Sequence, residues 1–319
     1  MKKACEEGLV SIIVPTYNRA DLLQETLDSV AAQSYRPVEL VIVDDGSTDA
    51  TSSAVQSWTK QYHADHRLTV RYLSQPNRGA CAARNHGLRE CRGEYIQFLD
   101  SDDRLRPNKL TQQVDALAAE PGLDYVYAQT IQVGRDGTER TTTGRPMDRG
   151  VPARNIPLHL WHTTGPLYRR RVCIQAGPWD EALRMSQDWD YAARIKAVSL
   201  NGRYIPEILS EYVMHDSGQI VKQGTMLEVA SRNRAIHNVM DRLTGSAVQE
   251  RAAWDVCSRA LVAAGIHAGV YGDRKQMRRN LAEAQRLGYT RTRCAACALG
   301  AASYLVPPNA FKWLLNRIR

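Results

Sequence analysis

The 319-residue chain predicts an α/β fold, a mixed, mainly parallel sheet flanked by helices, followed by a smaller all-α C-terminal region. Three observations predict it. Short β-branched apolar runs alternate with stretches of helical period as far as Leu110, the alternation of strand-helix-strand units. Those runs end abruptly in polar or acidic residues. From Thr225 the pattern changes to Ala/Arg-rich helices with no strand between them.

In chain order, Leu9-Val10-Ser11-Ile12-Ile13-Val14-Pro15 predicts a central parallel strand covered on both faces, and Thr16-Tyr17-Asn18-Arg19 a polar loop. Apolar residues at 22, 23, 27, 30 and 31 predict a helix over 21–33 with Asp21 as its N-cap. Val38 to Val43 is the second strand, ended by Asp44-Asp45-Gly46-Ser47-Thr48-Asp49. A helix over about 50–61 and a strand over 68–73 follow. Asn77-Arg78-Gly79 then reads as a turn into a helix of small residues, Ala80 to Gly87. Its Arg84 offers a forked contact to phosphate oxygens or, as the alternative, an exposed charge on a structural helix.

Tyr95-Ile96-Gln97-Phe98-Leu99 is a core strand that breaks into Asp100-Ser101-Asp102-Asp103. Carboxylates crowded so closely repel one another unless a cation is shared, and hard oxygen ligands favour Mg²⁺ or Mn²⁺; solvated acids on a capped loop are the other reading. Open α/β sheets bind ligands at the carboxyl ends of their strands, which here hold Pro15-Thr16-Tyr17, Asp44-Asp45 and Asp100-Ser101-Asp102.

Beyond this, Leu123 to Val133 alternates as a strand into the Gly134–Gly137 turn, and 138–157 reads as a polar loop. Ser186-Gln187-Asp188-Trp189-Asp190-Tyr191 opens a helix that includes Arg194, and a strand from about Arg203 ends in Glu211 to Ser217. Helices are expected over about 227–243, 247–265, 274–287 and 309–319.

Composition bounds the rest. No apolar run reaches the ~18 residues a membrane span needs, and the N-terminus has no secretory h-region, so the expected location is cytoplasmic. Seven scattered cysteines fit reduced thiols, and Cys294-Ala-Ala-Cys297 lacks the second pair that a zinc site needs. The net charge of +8 lies in the tail, where residues 225–319 carry fifteen Lys/Arg against six Asp/Glu. With Phe311, Trp313, Leu314 and Leu315, that tail fits either a packed bundle or peripheral contact with anionic lipid at the inner face of the plasma membrane. No nucleic-acid-binding module is recognisable, so no nucleic acid is expected as partner. A dinucleotide site is excluded because Pro-Thr-Tyr-Asn-Arg stands where a Gly-rich turn would be required, and no Walker loop occurs.

Ser11-Ile-Ile-Val-Pro-Thr-Tyr-Asn-Arg19, Val43-Asp-Asp-Gly-Ser-Thr-Asp49, Asn77-Arg-Gly79 with Ala83-Arg-Asn85-x-Gly87, and Phe98-Leu-Asp-Ser-Asp-Asp103 with Pro107-Asn-Lys-Leu110 together resemble the inverting family 2 glycosyltransferases, of GT-A fold. The resemblance runs from about Ser11 to Ser217. It implies a catalytic domain over 1–224, with a nucleotide-binding half over about 9–110 and an acceptor half over about 111–224, and a helical region over 225–319. The nucleotide-sugar-binding set it implies is Pro15, Thr16, Tyr17, Asn18, Asp44, Asp45, Gly79, Arg84, Asn85, Asp100, Ser101 and Asp102, with Pro15 and Tyr17 flanking the base and Asp44 or Asp45 on its edge. Asp100-x-Asp102 matches the family's DxD motif, with Asp102, aided by Asp100 and His215, on a Mn²⁺ or Mg²⁺ ion that bridges the donor's diphosphate.

Asp188 matches the catalytic base, and Asp190 is read as structural. A helix N-terminus stabilises the carboxylate charge, so a base there needs surroundings that oppose it. The segment 218–224 is expected to order over the donor. The implied partners are a nucleotide-diphospho-sugar, UDP-linked, and a hydroxyl acceptor on a glycan, lipid-linked glycan or protein. A sugar-1-phosphate nucleotidyltransferase is the alternative enzyme, but it would open with a Gly-rich, Arg/Lys-bearing loop where Thr16-Tyr17-Asn18 stands. A non-catalytic sugar-nucleotide-binding partner is the alternative of another class.

Overall fold

Runs that are apolar on both faces can only lie between two layers of helices, and the β-branched stretches of this chain do so. The computed structural model describes residues 5–62, 66–134, 137–143, 161–214, 226–241, 247–270 and 273–287. Its elements are β1 (Glu6–Thr16), α1 (Leu23–Ala31), β2 (Val38–Asp44), α2 (Thr51–Tyr62), β3 (Leu68–Ser74), α3 (Ala80–Glu90), β4 (Gly93–Phe98), β5 (Arg104–Leu105), α4 (Lys109–Ala119), β6 (Tyr125–Gly134), β7 (Glu139–Thr143), β8 (Pro166–Arg169), α5 (Arg170–Ala176), α6 (Gln187–Val198), β9 (Gly202–Met214), α7 (Met226–Met240), α8 (Ala247–Val270) and α9 (Arg274–Leu287).

The chain divides into two compact units. The first takes in Met1–Met147, His159–Ala182 and Ser199–Gln219. It is built on one sheet of order β3-β2-β1-β4-β8-β6-β9-β5, with β7 paired to β6. The β3-β2-β1-β4 part is parallel throughout, and its register sets Thr16 level with Asp44 and Ile13 level with Phe98. From β4 outward the sheet turns mixed, since β8 runs antiparallel to both β4 and β6 while β9 is parallel to β6. The expected mixed, mainly parallel sheet with helices following it is thus what forms. Val10, Ile12, Val14, Leu40, Ile42 and Leu27 are at the centre of its core. At the amino end of the strands Glu39, fully buried, accepts from Ser11 Oγ at 2.6 Å, Arg92 N at 2.8 Å and Arg71 Nη1 at 3.3 Å. Burial works to raise that carboxyl, but these donors outweigh it and hold it below the usual range.

Two expectations need correction. Residues 138–157 were expected to form a loop, yet 139–143 form β7, because the turn after Gly134 folds the Thr-rich run back along β6 and sets Thr130 opposite Thr143. Asp21 does not cap α1. The chain turns one residue later, with Arg19 O accepting Leu22 N and Leu23 N at 3.1 and 3.0 Å, and Leu22 is the N-cap without a side-chain bond.

The second unit takes in Asp148–Leu158, Leu183–Val198 and Ile220–Arg319. Helix α6 packs on α7, α7 on α8 and α8 on α9. Residues 144–160, 215–225 and 288–319 lie outside the described residues, and with them His215, the 218–224 segment, the Cys294–Cys297 pair and the terminal aromatic-basic stretch. Among the described residues no helix is long and apolar enough to cross a membrane.

The close approach of α3 to the sheet can be tested. A Cβ on Gly87 would lie 2.4 Å from Ile13 Cγ2 and 3.3 Å from Val43 Cγ2. Gly87→Ala is expected to cost about 1–3 kcal/mol of stability, the usual price of overpacking, read as a lower midpoint in urea unfolding.

Candidate active site

The first unit gathers its polar strand ends in one place. Asp45 N donates to Thr16 O at 2.9 Å, Leu99 N to Ile13 O at 3.0 Å, and Arg19 Nε stands 4.0 Å from Asp102 Oδ2. The exits of β1, β2 and β4 therefore form one rim. On it Pro15 and Thr16 are buried and Tyr17 is 45% exposed, a ring turned to solvent in a rim otherwise made of polar loops. Thr16 Oγ1 is buried without a hydrogen-bond partner among the described residues. A buried hydroxyl of this kind is completed by a hydrogen bond that the described side chains do not supply, such as one to ordered water.

Asn18 has a left-handed backbone, φ 51, and its Oδ1 accepts Thr48 N at 2.8 Å while its own N–H donates to Ser47 Oγ at 2.9 Å. It braces the first two loops against each other. Asp44 accepts from Ser47 N at 2.7 Å and from the Tyr72 hydroxyl. Asp45 is more heavily used: it takes Gln75 Nε2 at 2.7 Å, Arg78 N at 3.0 Å and Gly79 N at 2.6 Å. Gly79, the N-cap of α3 with φ 94, is thus held in a conformation that favours glycine by a carboxylate two loops away.

Helix α3 supplies Arg84 and Asn85, both buried. Arg84 Nη2 donates to Asp100 Oδ1 at 2.6 Å, and its guanidinium lies 4.6 Å from the centroid of Trp179. Asn85 fixes that tryptophan by a reciprocal pair, Trp179 N to Asn85 Oδ1 at 2.8 Å and Asn85 Nδ2 to Trp179 O at 2.9 Å. Arg84 is therefore a buried partner of the acidic loop rather than an exposed charge.

The acidic loop sorts its carboxylates. Burial would raise Asp100, but Arg84 and His162 overcome it and hold the carboxyl below its usual range. Ser101 is buried and Asp102 half-buried. Asp103, fully buried, accepts Thr164 Oγ1 at 2.7 Å and Val213 N at 3.3 Å, and its Oδ2 is 3.5 Å from His162 Nδ1. Burial first, then the neighbouring Asp102 and Asp100, push this carboxyl well above its usual range. Asp100, Asp103 and His162 have ligand atoms within 4.8 Å of one another. Carboxylate oxygens with one imidazole suit a divalent cation. Asp103, His162 and Trp179 were not singled out from sequence; only Asp103 lay in the stretch read as a cation site.

A second layer holds this loop. Lys109 Nζ, with no exposed surface, donates to Gln97 Oε1 at 2.6 Å and to Gln113 Oε1. Gln97 Nε2 donates to Thr164 O at 3.0 Å, and Gln113 Nε2 to Gly165 O at 2.9 Å. The lysine thus fixes the backbone from which Thr164 reaches Asp103. Asp188 lies in the second unit, exposed in the first turn of α6, with its Oδ1 accepting Trp189 N at 2.8 Å.

A family model described as "Glycosyl transferase family 2" matches residues 11–177. The chain belongs to that family. Among its relatives is a Bacillus subtilis (strain 168) protein provisionally named as the teichuronic acid biosynthesis glycosyltransferase TuaG, 37% identical over 145 residues. That match covers 46% of this chain and 53% of the relative, so this chain spans about half of its length. Two solved structures share the fold. Residues 1-349 of S. aureus TarS, crystallised in complex with UDP, superpose with a TM-score of 0.70 at 16% identity, covering 97% of this chain and 91% of that one. The mannosyltransferase PcManGT of Pyrobaculum calidifontis, in complex with GDP-Man and Mn²⁺, gives 0.56 at 21% identity, covering 96% and 84%. The GT-A fold implied by the sequence motifs of this glycosyltransferase family member is therefore the fold observed.

Burial pushes the Lys109 ammonium well below its usual range. The unfolded chain then binds the proton more tightly, so Lys109 adds stability as pH rises from its lowered folded value towards the unfolded value of about 10.4. Urea unfolding at pH 7 and 9.5 should show the wild type gaining on Lys109→Met at the higher pH; an unchanged or shrinking difference would refute the assignment.

Proposed function

We propose that this protein transfers a sugar from a nucleotide-diphospho-sugar, UDP-linked, to a hydroxyl of a glycan, lipid-linked glycan or protein, by single displacement with inversion. The observation that carries the reading is the rim of the sheet, where an orphaned buried Thr16 hydroxyl and the exposed Tyr17 ring share one edge with the acidic loop. An aromatic face stacks a base, and the acidic loop on the same edge would take the cation that accompanies the diphosphate. The names of similar proteins support the substrate class: TarS was crystallised with UDP, and TuaG is named for teichuronic acid biosynthesis.

Asp102 and Asp100 would hold Mn²⁺ or Mg²⁺, with His215, outside the described residues, as a further ligand; the clustering of ligand atoms of Asp100, Asp103 and His162 on and beside the same loop supports a cation there. The bound ion would neutralise charge on the leaving nucleoside diphosphate. Arg84 keeps Asp100 ionised for this role. Asp188 takes the proton from the acceptor hydroxyl as that oxygen attacks the anomeric carbon. The basic C-terminal helices meet anionic lipid at a membrane face when the acceptor is lipid-linked.

Three substitutions separate these roles. Asp188→Asn should reduce transfer by at least ~10³-fold while UDP and Mn²⁺ binding by calorimetry stay within about twofold of wild type; equal loss of both would refute the base. In Asp102→Ala the Mn²⁺-dependent part of UDP binding should vanish, and a titration that matches wild type removes Asp102 from the site. Loss of the base-stacking ring in Tyr17→Ala should weaken UDP binding by about 1–3 kcal/mol, and unaltered affinity would place the base elsewhere.

A further inference from the structure

The second unit contains a buried ion pair that the proposed chemistry does not use. Asp190 and Arg194, at one side of α6, are 0% and 1% exposed, and Asp190 Oδ2 accepts both Arg194 Nη2 at 2.6 Å and Nε at 2.9 Å. Burying such a pair is costly in desolvation and adds little stability by itself. Its other carboxylate oxygen shows what it is tied to, because Asp190 Oδ1 accepts Asn238 Nδ2 of α7 at 3.0 Å. Arg194 also lies 5.1 Å from the Tyr191 ring centroid, so the carboxylate, guanidinium and ring form one packed group in the first half of α6.

Helix α7 is itself fixed from α9. Asn280 Nδ2 donates to Asn233 Oδ1 at 2.7 Å, and His237 Nε2 is 3.0 Å from Glu283 Oε1. Polar contacts therefore run from α9 through α7 to Asp190. The entry to α6 is strained, since Ser186 immediately before it has a left-handed backbone, φ 57, unfavourable for a residue other than glycine, and its carbonyl accepts Asp190 N at 3.0 Å. Asp190 sits in the same first turn as Asp188. Two positions apart on a helix are about 200° apart around its axis, so an anchor at Asp190 presents Asp188 on the opposite face. Asp188 is accordingly exposed while Asp190 is buried.

We infer that Asn238 is a positioning residue for Asp188: α7, braced by α9, sets the rotation and pitch of the α6 turn that carries the base. The inference rests on the assignment of Asp188 as that base. It makes the C-terminal helices part of the catalytic apparatus, acting through Asn238, Asp190 and Arg194.

The test uses the full chain with Mn²⁺ in four forms: wild type, Asn238→Leu, Asn238→Gln and Asp188→Asn. Hydrogen exchange over 187–191, UDP affinity, and the kcat and KM for UDP release from UDP-glucose, UDP-galactose and UDP-N-acetylglucosamine are measured. In Asn238→Leu, exchange over 187–191 should quicken at least fivefold and kcat fall at least fivefold, with KM and UDP affinity within twofold of wild type. Asn238→Gln, which keeps the amide donor, should recover most of both losses. Unchanged exchange over 187–191 in Asn238→Leu overturns the proposal whatever the turnover, and so does a wild-type kcat in Asn238→Leu beside an inactive Asp188→Asn. An active Asp188→Asn removes the base assignment instead, and the inference with it.

Discussion

One buried lysine joins the parallel and antiparallel parts of the sheet. Lys109 Nζ has no exposed surface and is held by two glutamine oxygens, Gln97 from β4 and Gln113 from its own helix. A polar group so placed is tolerable only if its acceptors are fixed, and both glutamines are fixed by carbonyls of the Thr164–Gly165 turn, with Gln113 also reaching Val126 O at 3.3 Å. The turn that leads into β8 is therefore tied to β4, α4 and β6 at once. The Thr164 hydroxyl in turn anchors Asp103, so the shape of the acidic loop follows from this lysine.

The same economy governs the nucleotide-side rim. Asp44 and Asp45, candidates in sequence for the edge of the base, also hold the fold: they accept from loop backbone and from the side chains of Tyr72 in β3 and Gln75 just after it. Their first task is to hold the 46–49 and 77–79 turns in place. Beside these occupied carboxylates, on the same rim, stand Thr16, whose buried Oγ1 has no hydrogen-bond partner among the described residues, and Tyr17, whose side chain is exposed.

How much of this was legible depends on whether a feature is written in local pattern or in tertiary register. Strands β1, β2 and β4 were legible because residues such as Ile12, Ile13, Val41 and Ile96 are apolar on both faces, and such runs admit few other structures. Strands β5 and β8, of two and four residues, have no period of their own and exist because β9, β4 and β6 offer them partners. In the site, the acidic loop announced itself as consecutive carboxylates. His162 did not, since its approach to Asp103 is made across some sixty residues of sequence by the turn that Lys109 secures. Nor did Trp179, whose reciprocal bond with Asn85 spans some ninety residues and needs the fold to be seen.

Asp100, Ser101, Asp102 and Asp103 also show how one loop can keep three acids close without collapse. Like charges this near would raise one another's affinity for protons. Here the conflict is resolved by environment. Asp100 is given Arg84, whose guanidinium is itself held against Trp179, so it remains ionised. Asp103 is drawn inward to Thr164, Val213 N and His162, where burial favours its neutral form. Asp102 is the half-buried member, 4.0 Å from Arg19 on the β1 loop, and stands at the seam between two strand exits. Asp100 thus has its guanidinium, Asp103 its buried hydrogen bonds and Asp102 the nearby Arg19, so the three acids stand in three different environments.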